Sequence, residues 1–349
     1  MHHAARLAFL KTRSILTSIM RTQFFTALLL AVSLVHFAGV AEPARPHVTG
    51  LSHVAMWVHD VEQSRRFYKD FLGFAEPYSL TNANGSLSHT FIKINDRQSI
   101  ELFPEHETNS DRLYHIALET DDAEAMRVLL AAQGLKVPEK VTKGRIGNLN
   151  FNVHDPDGHQ VEIVQYMPDG WTMREKGNFM PDTRISTRMM HTGILVGDLD
   201  ASLKFYRDIL GGVETWRGGQ TNKPLSWVNV KLADSADYIE LMLYATLPEP
   251  TKRGTAHHIC LEVPDVDKAL AILKERAGRC NYTRPMEIRT GVNRKRQFNL
   301  YDPDGTRVEI MEPHTVDGIP APSSTAPPPI VAPVKAQERL DAGWGMRDK

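Results

Sequence analysis

The sequence predicts an α+β fold in which one unit, a strand, a helix and then about three strands, occurs four times. Three observations predict it. Four segments begin alike: HVAMWVHDVE from His53, HIALETDDAE from His115, HTGILVGDLD from His191 and HICLEVPDVD from His258. Each carries aspartate seven residues on (Asp60, Asp122, Asp198, Asp265) and glycine about twenty on (Gly73, Gly134, Gly211, Gly278). Each unit also closes on a glutamate between apolar residues, at Glu101, Glu162, Glu240 and Glu309, lying 48, 47, 49 and 51 residues after the leading histidine. A recurrence of this kind marks a repeated supersecondary unit.

Local physics accounts for each element of the unit. His53, Ala55 and Trp57 alternate with Val54, Met56 and Val58, the period of a strand. Asp60 stands where a helix N-cap belongs, and Glu62 falls in the first turn, near the positive end of the helix dipole. Val61, Phe67, Tyr68, Phe71 and Leu72 then recur at three-to-four spacing, as Leu199, Phe205, Tyr206, Ile209 and Leu210 do later. The glycines at about twenty residues are placed to end each helix in a left-handed conformation. Asp155-Pro156-Asp157-Gly158 and Asp302-Pro303-Asp304-Gly305 are tight turns before the last strand, with the glutamate four residues after the glycine.

The ends of the chain differ from the repeats. Residues 1–41 hold Arg6, Lys11, Arg13 and Arg21 and no acidic residue. The apolar run Phe24 to Phe37 follows, broken by Thr26, Ser33 and His36, then the small residues Gly39-Val40-Ala41. This is the order of an export signal, and the run is short of the roughly 20 apolar residues of a membrane span. The expectation is an exported protein, periplasmic or secreted, with an uncleaved membrane anchor as the alternative. Met20 offers a second start. Between Pro313 and Pro333 there are seven prolines among Ala, Ser and Thr, which reads as a flexible tail, with Trp344 beyond it. The organisation expected is signal 1–41, linker 42–49, module 1 over 50–170, linker 171–187, module 2 over 188–314 and tail 315–349.

Composition narrows the function. A chain that is 42% hydrophobic and 24% charged buries real cores. A net charge of −1 gives no basic face for nucleic acid. Cys260 and Cys280 form no CxxC pair, which argues against a cysteine zinc site; one disulfide between them stays open.

The recurring histidines and glutamates carry the chemistry. A lone strand histidine is commonly a satisfied core group. A glutamate inside an apolar strand is costly unless paired or bound to a cation. Four of each in register point to divalent-metal ligands: His53, Glu101, His115, Glu162, His191, Glu240, His258 and Glu309. A structural network of His–Glu hydrogen bonds is the competing reading. Imidazoles with carboxylates suit nickel, cobalt, manganese, iron or zinc. His257 should face away from His258 on its strand and act structurally. His89, His106, His154 and His159 fall in or near loops, where a surface role is expected.

These segments resemble the vicinal-oxygen-chelate superfamily, which includes glyoxalase I, extradiol dioxygenases and bleomycin-resistance proteins. HVAMWVHDVEQSRRFYKDFLGF is similar to the first glyoxalase I signature. HTGILVGDLDASLKFYRDILGG departs from it at Gly212, and AHHICLEVPD is similar to a second signature from which LYHIALETDD departs at Tyr114. The resemblance implies two tandem modules, each a pair of βαβββ units in a half-open eight-stranded cup around a metal. It leaves two assemblies open: ligands gathered within each module, or His53 and Glu101 joined with His258 and Glu309, and His191 and Glu240 with His115 and Glu162.

The function implied is a divalent-metal-dependent glyoxalase-like lyase or isomerase. It would act on a small carbonyl substrate through a metal-stabilised enediolate, with Glu162 and Glu309 as candidate catalytic bases. One alternative is an iron(II) extradiol dioxygenase. That family's tyrosine before the DP turn is replaced here by Asn152 and Asn299, and its histidine further upstream is absent. The other alternative is a non-catalytic binder of an antibiotic, which eight intact ligands argue against. Arg294-Lys295-Arg296 offers a basic loop for an anionic substrate or a solvated surface. Beyond a small-molecule substrate, the expected assembly is a monomer with tandem modules or a homodimer, with no stable membrane span after processing.

Overall fold

The computed structural model describes residues 45–106, 111–253 and 256–330. The expected export signal and Trp344 lie outside them. Among the described residues no helix is long and apolar enough to cross a membrane.

Module 1 comprises β1 (Val48–Val58), α1 (Val61–Arg65, continued as a π-helix over Arg66–Phe71), β2 (Ala75–Thr81), β3 (Leu87–Lys93) and β4 (Ser99–Pro104). Its second half follows with β5 (Leu113–Thr120), α2 (Ala123–Ala132), β6 (Thr142–Lys143), β7 (Leu149–His154) and β8 (Gln160–Gln165). The short α3 (Trp171–Arg174) leads to module 2. There β9 (Arg188–Val196), α4 (Leu199–Leu203, then π-helical over Lys204–Ile209), β10 (Val213–Gly218), β11 (Trp227–Lys231) and β12 (Tyr238–Leu243) form the first half. After α5 (Pro250–Arg253) the second half is β13 (His258–Glu262), α6 (Val266–Ala277), β14 (Arg289–Thr290), β15 (Lys295–Tyr301) and β16 (Arg307–Thr315).

Each module is one eight-stranded sheet, ordered β2-β3-β4-β1-β5-β8-β7-β6 and β10-β11-β12-β9-β13-β16-β15-β14. The two halves of module 1 join where β1 runs antiparallel to β5, and those of module 2 where β9 runs antiparallel to β13. Leading and closing strands lie parallel, β1 on β4 and β5 on β8. This topology selects between the two assemblies: histidines and glutamates gather within each module.

The expected caps are present. Asp60, Asp122, Asp198 and Asp265 each accept backbone N–H bonds at a helix start. Gly73, Gly134 and Gly211 are left-handed, with φ of 81°, 82° and 82°. Gly278 is not; its φ is −63°, and the left-handed turn falls on Asn281 at 54°. The final helix still ends at Ala277, and the left-handed turn follows three residues after the glycine.

Reciprocal contacts join the modules. Tyr68 Oη donates to Asp302 Oδ2 at 3.1 Å, and Tyr206 Oη to Asp155 Oδ2 at 2.9 Å. The backbone N–H of His59 donates to Asp304, and that of Gly197 to Asp157. Each module's DPDG turn therefore caps the other module's first strand and helix. Phe71 stacks on Tyr282 with centroids 4.6 Å apart.

Two further expectations need correction. The segment after Thr315 does not simply leave the fold: Ser324 N donates to Arg217 O and Leu225 N to Pro327 O, laying it along the end of β10 and the loop that follows. The linker over 171–187 contains α3, whose Trp171 stacks on Tyr78. Cys260 and Cys280 are both free thiols.

Candidate metal centres in the two cups

Strand alternation aims one histidine and one glutamate from each half into each cup. In module 1, β1 supplies His53, β4 Glu101, β5 His115 and β8 Glu162, all buried or nearly so. His53 Nε2 and His115 Nε2 lie 2.9 Å apart. Glu162 Oε2 is 3.2 Å from both, and Glu101 Oε1 is 3.5 Å from His53 Nε2. Donors about 2.1 Å from one centre and at right angles stand about 3 Å apart, so these spacings are those of a coordination shell.

Electrostatics agree with a cation there. Burial disfavours charge on His53, but Glu101 and Glu162 overcome it and push its pKa up to about 9. Burial likewise works against ionised Glu162, yet hydrogen bonds from His115 and His53 hold it well below the usual carboxylate range. Glu101 is raised, by burial first and then by its neighbour Glu162 despite the two histidines. The pair of carboxylates thus creates a buried field favouring positive charge where the imidazoles meet.

A hydrogen-bond chain fixes the form of His53. Tyr166 Oη donates to the carbonyl of Arg97 at 2.6 Å, a group that only accepts. Tyr166 must therefore accept from Ser52 Oγ, 2.6 Å away, and Ser52 must accept from His53 Nδ1 at 2.9 Å. The chain keeps a proton on Nδ1, so Nε2, the nitrogen facing Glu101 and Glu162, is the one that can give up its proton to become a metal ligand.

The cup of module 1 is open. A cavity of about 230 Å³ reaches the four donors, with His89, Phe103, Tyr114, Arg145, Asn152 and Trp171 among its walls. His89 is a correction: it is half-buried and stacks on Phe103 at 4.3 Å. Burial and then Arg145 lower its pKa to about 4, so it lines the site as a neutral ring. His159 is a second correction. It is buried, with Nδ1 2.8 Å from Asp155 Oδ2 beneath the module junction. His106 and His154 are exposed, as expected. His257 faces away from His258, toward Asp111 at 3.3 Å and His159.

In module 2 the donors again converge. His191 Nε2 is 3.0 Å from His258 Nε2 and 3.3 Å from Glu309. His258 Nε2 is 3.5 Å from Glu240 and 3.8 Å from Glu309. The surroundings differ. Arg307 Nη2 lies 2.5 Å from His258 Nδ1. Burial and Arg307 depress the His258 pKa, burial raises Glu240, and a hydrogen bond to His191 outweighs burial to lower Glu309. Tyr238 packs on His191 with centroids 4.5 Å apart, clustered with Met190, Cys260 and Met311. The basic loop is absorbed internally: Arg294 pairs with Asp317, and Arg296 with Asp267 and Glu312.

Known proteins resemble this chain in sequence and fold. The sequence model of the Glyoxalase/Bleomycin resistance protein/Dioxygenase superfamily matches residues 50–163 and 188–310. A lactoylglutathione lyase of Haemophilus influenzae is 32% identical over 128 residues, 36% of this chain and 92% of that protein. The Mn(II)-bound glyoxalase from Novosphingobium aromaticivorans superposes with a TM-score of 0.57 at 19% identity, covering 76% of this chain and 83% of that one. The 2,3-dioxygenase LapB from Pseudomonas sp. KL28 gives 0.59 at 17% identity, covering 80% and 97%. At these identities the two structures speak to the fold.

Proposed function

The chain belongs to the glyoxalase/bleomycin resistance protein/dioxygenase superfamily, and from that premise we propose that it is a divalent-metal-dependent lyase or isomerase acting on a small hydroxycarbonyl compound. The observation that carries this is the convergence of two imidazoles and two carboxylates at the floor of the open module 1 cavity. His53, Glu101, His115 and Glu162 would hold the ion, which when bound supplies Lewis acidity toward a carbonyl oxygen.

The remaining work falls to side chains. Glu162 is ionised and faces the cavity, so it can take a proton from the carbon beside the carbonyl and return it to the neighbouring one. Glu101, raised by burial, keeps its proton more readily and is less available as the ionised base. The neutral His89 ring on Phe103, with Trp171 opposite Tyr78, gives apolar walls that hold a planar substrate and exclude water. Asn152, paired with Glu162 across β7 and β8, stands where a ring-cleaving dioxygenase would need a tyrosine, which favours proton transfer over oxygen chemistry. We place the activity outside the cytoplasm on the strength of the N-terminal pattern.

The test is metal analysis followed by assay of the loaded chain with hemithioacetals and with catechols. Proton transfer predicts solvent deuterium entering the carbon that was the substrate's carbonyl carbon. Glu162→Gln is expected to lower kcat by about 10²–10⁴-fold. Oxygen uptake with iron(II) and a catechol, without deuterium entry into hemithioacetals, would overturn the lyase reading in favour of a dioxygenase.

A further inference from the structure

The two cups carry the same four donors but not the same charges around them. In module 1 the positions matching Lys295 and Arg307 are the neutral Asn148 and Gln160. The cavity's cations are engaged elsewhere or sit at its mouth: Lys93 pairs with Asp96 and Arg97 with Glu119, while Arg145 reaches the Thr81 carbonyl. The two carboxylates of module 1 pair with the imidazoles of His53 and His115, not with these cations. In module 2, Arg307 lies two residues before Glu309 on the same face of β16, within the field of Glu309 and Glu240. Arg307 is thus a fixed cation inside the second cup, in contact with one of its imidazoles.

Proton placement points the same way. A guanidinium only donates. With Arg307 donating to His258 Nδ1, neutral His258 must carry its proton on Nε2. That is the atom facing His191 and the carboxylates, and a protonated nitrogen has no lone pair for a metal. The contact is built in: a Cβ at Gly193 would lie 1.9 Å from His258 Cε1, so the ring occupies space that Ala55 fills in module 1. The relay that orients His53 has no counterpart, because Met190 and Pro313 replace Ser52 and Tyr166. Among the described residues His191 Nδ1 has no hydrogen-bond partner, where His53 Nδ1 has Ser52. Tyr238, Cys260 and Met311 stand where Ser99, Ala117 and Val164 leave module 1 open.

We propose that the chain holds one divalent ion, in module 1, and that Arg307 makes module 2 a metal-free copy whose guanidinium–imidazole contact replaces the ion. The inference rests on the metal reading of module 1, and the experiment separates the two. Purified full chain is saturated with Mn(II), desalted and its metal counted per chain. One equivalent is expected. Two would overturn the inference and leave the metal reading standing; none would overturn both. Arg307→Gln, which copies Gln160, is expected to raise the count toward two, and a count unchanged at one would remove Arg307 as the cause. Independently of folding of any variant, long-range nitrogen–carbon NMR of the parent should show His258 protonated at Nε2. A proton on Nδ1 would overturn the proposal.

Discussion

Tyr68 and Asp302, 234 residues apart in sequence, share a buried 3.1 Å hydrogen bond in which the phenol of module 1 satisfies the turn carboxyl of module 2. Its mirror, Tyr206 to Asp155, makes the joint reciprocal. Tyr68→Phe strips a donor from a buried carboxyl and should cost about 1–3 kcal/mol in urea unfolding.

The two turn aspartates differ in charge. Burial, and then Asp304, push the Asp302 pKa up to about 7, whereas His159 outweighs burial and lowers Asp155. An unfolded aspartate releases its proton near pH 4, so between about pH 4 and 7 the folded chain binds the extra proton. Stability from Asp302 is then full below pH 4 and lost as pH rises through 7. Asp302→Asn should flatten this decline, gaining on the parent by about 1–3 kcal/mol at pH 8. Urea midpoints of both proteins across pH 4–8 test it; parallel profiles would refute it.

Ser52 is a positioning residue for His53. Ser52→Ala breaks the chain to Tyr166 and frees the imidazole to take the other tautomer. Metal affinity should fall about 10–100-fold with little loss of thermal stability in the metal-free chain. Competition titration against a chelator measures the first, and calorimetry the second.

Gly193 is needed for lack of a side chain, since any Cβ there meets the His258 ring. Gly193→Ala should lower stability by about 1–3 kcal/mol, because the packed strands around it leave the ring no room to retreat. The matching position in module 1 is already Ala55, buried without penalty.

Much of this was legible in the sequence because it was periodic. The histidine, aspartate cap and glutamate keep their spacing through four units, so strand phase and inward direction follow from alternation alone. What escaped depended on partners from another module. His159 follows a turn glycine and reads as exposed, yet Asp155 and Tyr206 close over it only once the modules cross. His89 reads as a loop residue, but β3 runs through it and turns it into the cavity. Arg307 could have been found: two residues before Glu309 on one strand, it had to share that glutamate's face. Lys295 was read with its loop neighbours, although β15 begins there.

The stretch lying along β10 has a consequence beyond its own hydrogen bonds. β10 is the rim of the second sheet, and such a rim presents unpaired amides and carbonyls that a stray strand from another molecule can zip onto. By docking Ser324 on Arg217 and Pro327 on Leu225, the chain covers part of that rim with its own backbone. Proline suits the task, because it offers no N–H on which a further strand could build. The backbone carbonyl of Arg217 is thereby already taken, so a strand from another molecule meets a rim that is partly occupied.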